Sequence, residues 1–141
     1  MLIGRWKRSP LERAIIDAAQ RPSEDSRAAL LQHLGDSALF VAIREPVALD
    51  VDESGVLRST ANLAVLTGSG PNAPVLLGFT SERQVRRRKA DAHPLLLPVK
   101  TICELVVQQN YNGLVINPED KWVFVSREEL RAAVGRANPT R

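Results

Sequence analysis

Residues 75–91 read VLLGFTSERQVRRRKAD, an apolar run that stops at two hydroxyl residues and passes into a basic, helix-permissive segment. An apolar run this short, bounded by a capping residue, has the length of a buried strand. Ser81 followed three residues later by Gln84 has the spacing of a capping box, in which the hydroxyl accepts an early helix N–H and the amide reaches back. The junction therefore predicts a strand over 75–80 feeding a helix from 81 onward. At 100° per residue Arg83, Arg86 and Arg87 share one face of that helix, Val85 points the other way, and Arg88 and Lys89 spread round the side.

The rest of the chain falls into elements of the same clarity. Ser9, Pro10 and Glu12 form a second capping box with proline at the first helical position. A helix over 11–20 follows, with Leu11, Ala14, Ile15, Ala18 and Ala19 on one face. Pro22 ends it, and a second helix over 23–34 carries Ala28, Leu30, Leu31 and Leu34, with Gly35 suited to its C-terminal turn. Strands are expected over 38–43 and 63–67, with a hairpin between them over 47–51 and 56–59. A loop over 68–74 leads into the strand at 75–80. After the basic helix come a short strand over 95–97 and a helix over 99–110 with Ile102, Cys103 and Val106 inward. A last hairpin over 113–117 and 122–125 turns through Pro118, Glu119, Asp120 and Lys121. Ser126, with Glu129 as reciprocal partner, caps a final helix ending near Gly135. The order predicts an α+β (mixed α/β) fold: a largely antiparallel sheet covered by helices, two at the N-terminus and one at the C-terminus.

At 141 residues the chain suits a single domain over 1–141, with 1–8 and 136–141 as tails; such a length buries roughly two-thirds of the unfolded surface. Aromatic residues make up only 4%, so the core must be aliphatic. The single Cys103 excludes an intramolecular disulfide and fits a reducing compartment, so a cytoplasmic location is expected. No apolar run reaches the roughly 18–20 residues of a membrane span. The net charge of +3 permits attraction to acidic partners without the concentrated field of a dedicated nucleic-acid binder.

The search for chemistry gives few leads. Asp50, Asp52, Ser54 and Gly55 open like a calcium loop, but Ala61 stands where a bidentate glutamate is needed, and a hairpin turn is the better reading. His33 and His93 have no neighbouring ligand spacing. Cys103, between Ile102 and Glu104 on an inward helical face, reads as packing rather than as a nucleophile. Thr67, Gly68, Ser69 and Gly70 lack the lysine of a phosphate loop. Trp6, among Arg5, Lys7 and Arg8, reads as packing on its own fold. With no catalytic set, the chain is expected to be non-enzymatic, without cofactor or metal.

Several stretches together resemble the SseB family, the N-terminal domain of proteins named for enhanced serine sensitivity. They are Leu11, Glu12, Ala14 and Ile15; Leu39, Val41 and Ala42; Phe79, Thr80, Ser81 and Glu82; and Ile102, Glu104 and Leu105. Gly113 to Pro118, reading GLVINP, and Ser126, Glu128, Glu129 and Leu130 complete the set. The resemblance implies a bacterial α/β domain without a catalytic mechanism, an accessory or interaction protein. Thr80 and Ser81 can serve as a helix cap and Asn117 with Pro118 as a turn. The alternative is a polar groove in which Thr80, Ser81 and Asn117 join Arg83, Arg86 and Arg87 to bind an acidic or peptide-like protein partner. Two other readings stand beside it: a nucleic-acid accessory protein using the arginine helix, and a small-molecule, serine-related regulatory domain suggested by the family name.

Overall fold

The computed structural model describes residues 9–43, 65–119 and 121–137. Trp6, the hairpin expected over 47–59 and the calcium-loop candidate lie outside them. Helix α1 (Pro10–Gln20) starts where Ser9 Oγ accepts the Glu12 N–H and Glu12 Oε1 accepts the Ser9 N–H, both at 3.1 Å. Its apolar face, Leu11, Ala14, Ile15 and Ala18, is buried. Helix α2 (Glu24–Leu34) is capped by a pair of serines, with Ser23 and Ser26 each accepting the other's backbone N–H. Gly35 keeps right-handed helical angles (φ −57°, ψ −35°), so this helix ends without the left-handed glycine turn its sequence suggests.

Strand β1 (Ala38–Ile43) pairs antiparallel with β4 (His93–Pro98), setting Pro94 opposite Ala42 and Pro98 opposite Ala38. A second group runs in the order β2 (Thr67–Gly68), β3 (Val75–Gly78), β5 (Gly113–Ile116) and β6 (Val123–Ser126). Only β3 and β5 are parallel; the other neighbours are antiparallel, as the fold class expected. The two groups join where Phe40 and Phe79 exchange N–H···O bonds of 2.8 Å and the Leu66 N–H donates to the Ala42 oxygen at 2.9 Å.

Strand alternation divides the side chains between two faces. Leu39, Val41, Leu76, Leu114, Ile116, Val123 and Val125 face a large aliphatic core. It is closed by α1, α2, α4 (Val99–Gln108) and α5 (Arg127–Ala137), whose Leu30, Ile102, Leu105 and Leu130 are fully buried. Phe40, Ala42, Val75, Leu77 and Phe79 face the other way, where Val85 of α3 (Glu82–Arg88) meets them. Helix α4 ends in a Schellman turn: Tyr111 N–H donates to Val106 O and Asn110 N–H to Val107 O, with Asn110 at φ 60° in the place glycine usually takes. Cys103 is buried in the large core, and burial pushes its thiol up from the ordinary range.

One ion pair ties the closed side together. Arg27 of α2 donates to both carboxylate oxygens of Glu129, with Nε 2.9 Å from Oε2, and its guanidinium also reaches the Phe124 carbonyl on β6. Glu129 in turn caps α5, accepting the Ser126 N–H at 3.0 Å while Ser126 Oγ accepts the Glu129 N–H at 3.1 Å. The Arg27 hydrogen bonds hold the Glu129 carboxyl below its usual range, against the opposing effect of burial. The sequence placed the end of α5 near Gly135; the helix continues to Ala137.

Candidate functional site

The parallel pair β3–β5 brings two C-terminal strand ends side by side, Gly78 against Ile116. Asn117 continues the ladder by donating its N–H to the Gly78 oxygen at 2.9 Å, then takes φ 55°. That left-handed turn, which asparagine tolerates better than most residues, sends its side chain back over the end of β3. There Oδ1 accepts the Thr80 N–H and Nδ2 donates to Thr80 Oγ1, both at 3.0 Å. Ser81, in extended backbone, caps α3 by accepting the Gln84 N–H at 3.2 Å. Thr80, Ser81 and Asn117 are therefore one polar junction, with Asn117 only 6% exposed. Their hydrogen bonds join the two strands and start the helix.

Helix α3 is shorter than the basic segment suggested. It ends at Arg88, Lys89 turns to extended angles (φ −154°, ψ 110°), and Ala92 is buried in the core under Val85. A following proline disfavours helix at His93, and β4 begins there. Val85 is fully buried, and the arginines stand on the outer surface as the 100° rotation predicts. Arg86 lies 3.4 Å from Glu82 one turn back, and Lys89 lies 2.8 Å from Asp91, whose carboxyl it holds below the ordinary range. Arg87 Nη2 donates to the Glu119 carbonyl at 3.1 Å, and Arg88 Nη1 lies 2.7 Å from Glu119 Oε2. Arg83 is exposed, one turn before Arg87 on the same face, and makes no ion pair with another described residue.

These contacts aim the arginine face at the β5–β6 turn. The polar junction and the arginines thus share one end of the molecule, although Thr80, Ser81 and Asn117 bond to one another or to backbone rather than to the arginines. Beside them opens a groove of about 230 Å³ whose lining includes Val75, Leu77, Val115, Pro118, Trp122 and Arg88. Sequence reasoning placed Trp122 at the start of a strand; it lies just before β6, with 55% of its surface exposed. The available signal was an aromatic residue beside a turn rich in charge, in a chain with few aromatics. The groove itself unites three strands and the end of α3, a combination no local pattern shows. Among the described residues no group of three or more His, Cys, Asp or Glu is placed to hold a metal ion, and no helix is long and apolar enough to cross a membrane.

Residues 11–132 match the model of the SseB protein N-terminal domain. Comparison with curated proteins and with solved structures gives no match.

Proposed function

The chain belongs to the SseB N-terminal domain family, and from that premise we propose that it is a non-enzymatic interaction module that binds an acidic or peptide-like protein partner beside α3. The observation that carries this reading is the arginine face itself: one short helix, held by a single buried valine, presents its cations outward next to an open groove. The polar residues of the junction are engaged in building the fold, which leaves the cations as the chemistry directed at solvent. Guanidinium groups on such a face suit bidentate recognition of carboxylates. The local pairs do not cancel this capacity, since exposed ion pairs such as Arg86–Glu82 contribute little and exchange readily for a partner's carboxylate.

The test is affinity capture with the purified chain, with and without nuclease and at low and moderate salt, beside a variant carrying Arg83→Glu and Arg86→Glu. A defined protein retained after nuclease and lost with the variant supports the module. Retention by the variant places the partner elsewhere. Loss of every associated component after nuclease makes α3 a phosphate-binding surface instead.

A further inference from the structure

The sheet face that α3 covers is wider than α3. A seven-residue helix is about 10 Å long, and it seals Phe79 and Ala42 while the face continues past it toward β6. Val115 and Phe124, paired across β5 and β6, are only partly buried there, and Trp122 stands at the rim. The floor at Val75 and Leu77 is aliphatic and almost without solvent contact. Gly68 helps keep the groove open, since a Cβ at that position would lie 3.0 Å from side-chain carbons of both Leu77 and Val75.

The size of the groove selects its occupant. About 230 Å³ falls below the roughly 300–1,000 Å³ of ordinary small-molecule and cofactor sites and suits amino-acid side chains. Its surroundings select charge: Arg88 lines the groove, the other arginines of α3 stand exposed on the same short helix, and Lys121 adjoins Trp122 in the chain. Together these cations outnumber the carboxylates Glu82, Asp91 and Glu119 that pair with Arg86, Lys89 and Arg88, and neither Arg83 nor Lys121 makes an ion pair with another described residue. An exposed tryptophan over an aliphatic floor, bordered by arginine, has the composition of the few residues that dominate binding at protein interfaces.

We propose that this groove receives one large apolar side chain from an acidic segment of a protein partner, packed between Trp122 and the Val75–Leu77–Val115 floor, while flanking carboxylates settle on Arg83 and Lys121. The inference rests on the interaction-module reading and adds an anchor that charge alone does not supply. A phosphate backbone has nothing to place on the aliphatic floor, and a second copy of this chain would bring a like-charged α3 to the same rim.

The probe is a random dodecapeptide display library selected on the full chain, followed by anisotropy titration of the best labelled peptide. The expected consensus is one Leu, Phe, Met or Trp flanked by Asp and Glu. Trp122→Ala, a surface change that leaves the fold intact, is expected to weaken that peptide about thirtyfold, as truncation of a central anchor does. Arg83→Glu with Lys121→Glu is expected to weaken it about tenfold and to flatten its salt dependence. Replacing the peptide's apolar residue by Ser should reproduce the Trp122→Ala loss. If charge reversal weakens binding while Trp122→Ala and the Ser peptide do not, the groove is excluded and docking on α3 stands. If neither variant matters, both readings fall. No enriched peptide, or a consensus lacking either the apolar residue or the carboxylates, overturns the anchor. A concentration-dependent dimer that shields Trp122 from iodide quenching, measured in a Trp6→Phe background, overturns it in favour of self-association.

Discussion

Leu76 and Leu77 are neighbours on β3, and they face opposite worlds. Leu76 enters the large core under α1, α2, α4 and α5, while Leu77 lies beneath α3 at the floor of the groove. Both are almost wholly buried, at 0% and 2% exposure. The difference lies in what surrounds them: one face is closed by four helices, two of them tied together by Arg27 and Glu129, the other by a seven-residue helix with one buried residue. Burial of an individual side chain thus says little about how firmly its surroundings are held. The same strands stabilise the fold on one face and leave usable surface on the other.

The sharpest way to break this contrast is to truncate both leucines. Leu76→Ala should cost toward the upper end of the ~2–5 kcal/mol range for such changes, because its cavity is walled on every side. Leu77→Ala should fall toward the lower end, since the open groove can collapse or admit water. Equal losses in urea unfolding would show that the α3 face is as closed as the other. Gly113 tests the weaker face from beneath Phe124. A Cβ there would collide with the Val125 carbonyl oxygen and lie 2.8 Å from Phe124 Cε1. Gly113→Ala is therefore expected to cost about 1–3 kcal/mol by forcing β5 and β6 apart, with Phe124 ring signals shifting in NMR spectra.

The closed face should also lose a pH-dependent contribution. Because Arg27 lowers the carboxyl of Glu129 in the folded chain, that group adds stability above its ordinary value near 4.5 and loses it as pH falls through the lower folded value. Glu129→Gln should cost about 1 kcal/mol at pH 7, the pair being roughly one-third exposed. The gap from the parent chain should narrow below pH ~4.5 in denaturant titrations; a constant gap would reduce the pair to packing. The smallest effect is a gain. Gly135 lies in α5 with open space around a prospective Cβ, so Gly135→Ala should add about 0.4–1 kcal/mol, seen as a higher melting temperature.

What the sequence showed plainly was everything governed by near neighbours. The Ser9–Glu12 and Ser126–Glu129 boxes, the buried Val85 among arginines and the alternating strands all express spacings of two to four residues. The carboxylates Glu82 and Asp91 likewise pair with near neighbours, Arg86 and Lys89. Pairings across long separations were hidden. Thr80 and Asn117 are 37 positions apart and Arg27 and Glu129 are 102 apart, so neither partner marks the other in the sequence. Asn117 read as a turn residue, which it is, but its amide also joins two strands. Glu119 read as part of a hairpin turn, whereas it also orients two arginines.

Strand β4 has a further consequence. Phe40, opposite Leu96, gives its N–H and C=O to Phe79 on its other side, so the alternation of an antiparallel pair turns the backbones of residues 94, 96 and 98 away from β1. Among the described residues no further strand pairs with β4 there. Two of those three positions are proline and carry no N–H, which leaves Leu96 as a lone donor between them. A stray strand seeking to extend the sheet finds one N–H donor where a full edge would present three, although the carbonyls remain as acceptors. The half-exposed Leu96 thus sits on an edge poor in donors, and the pair of prolines works against edge-to-edge pairing in a crowded, newly made chain.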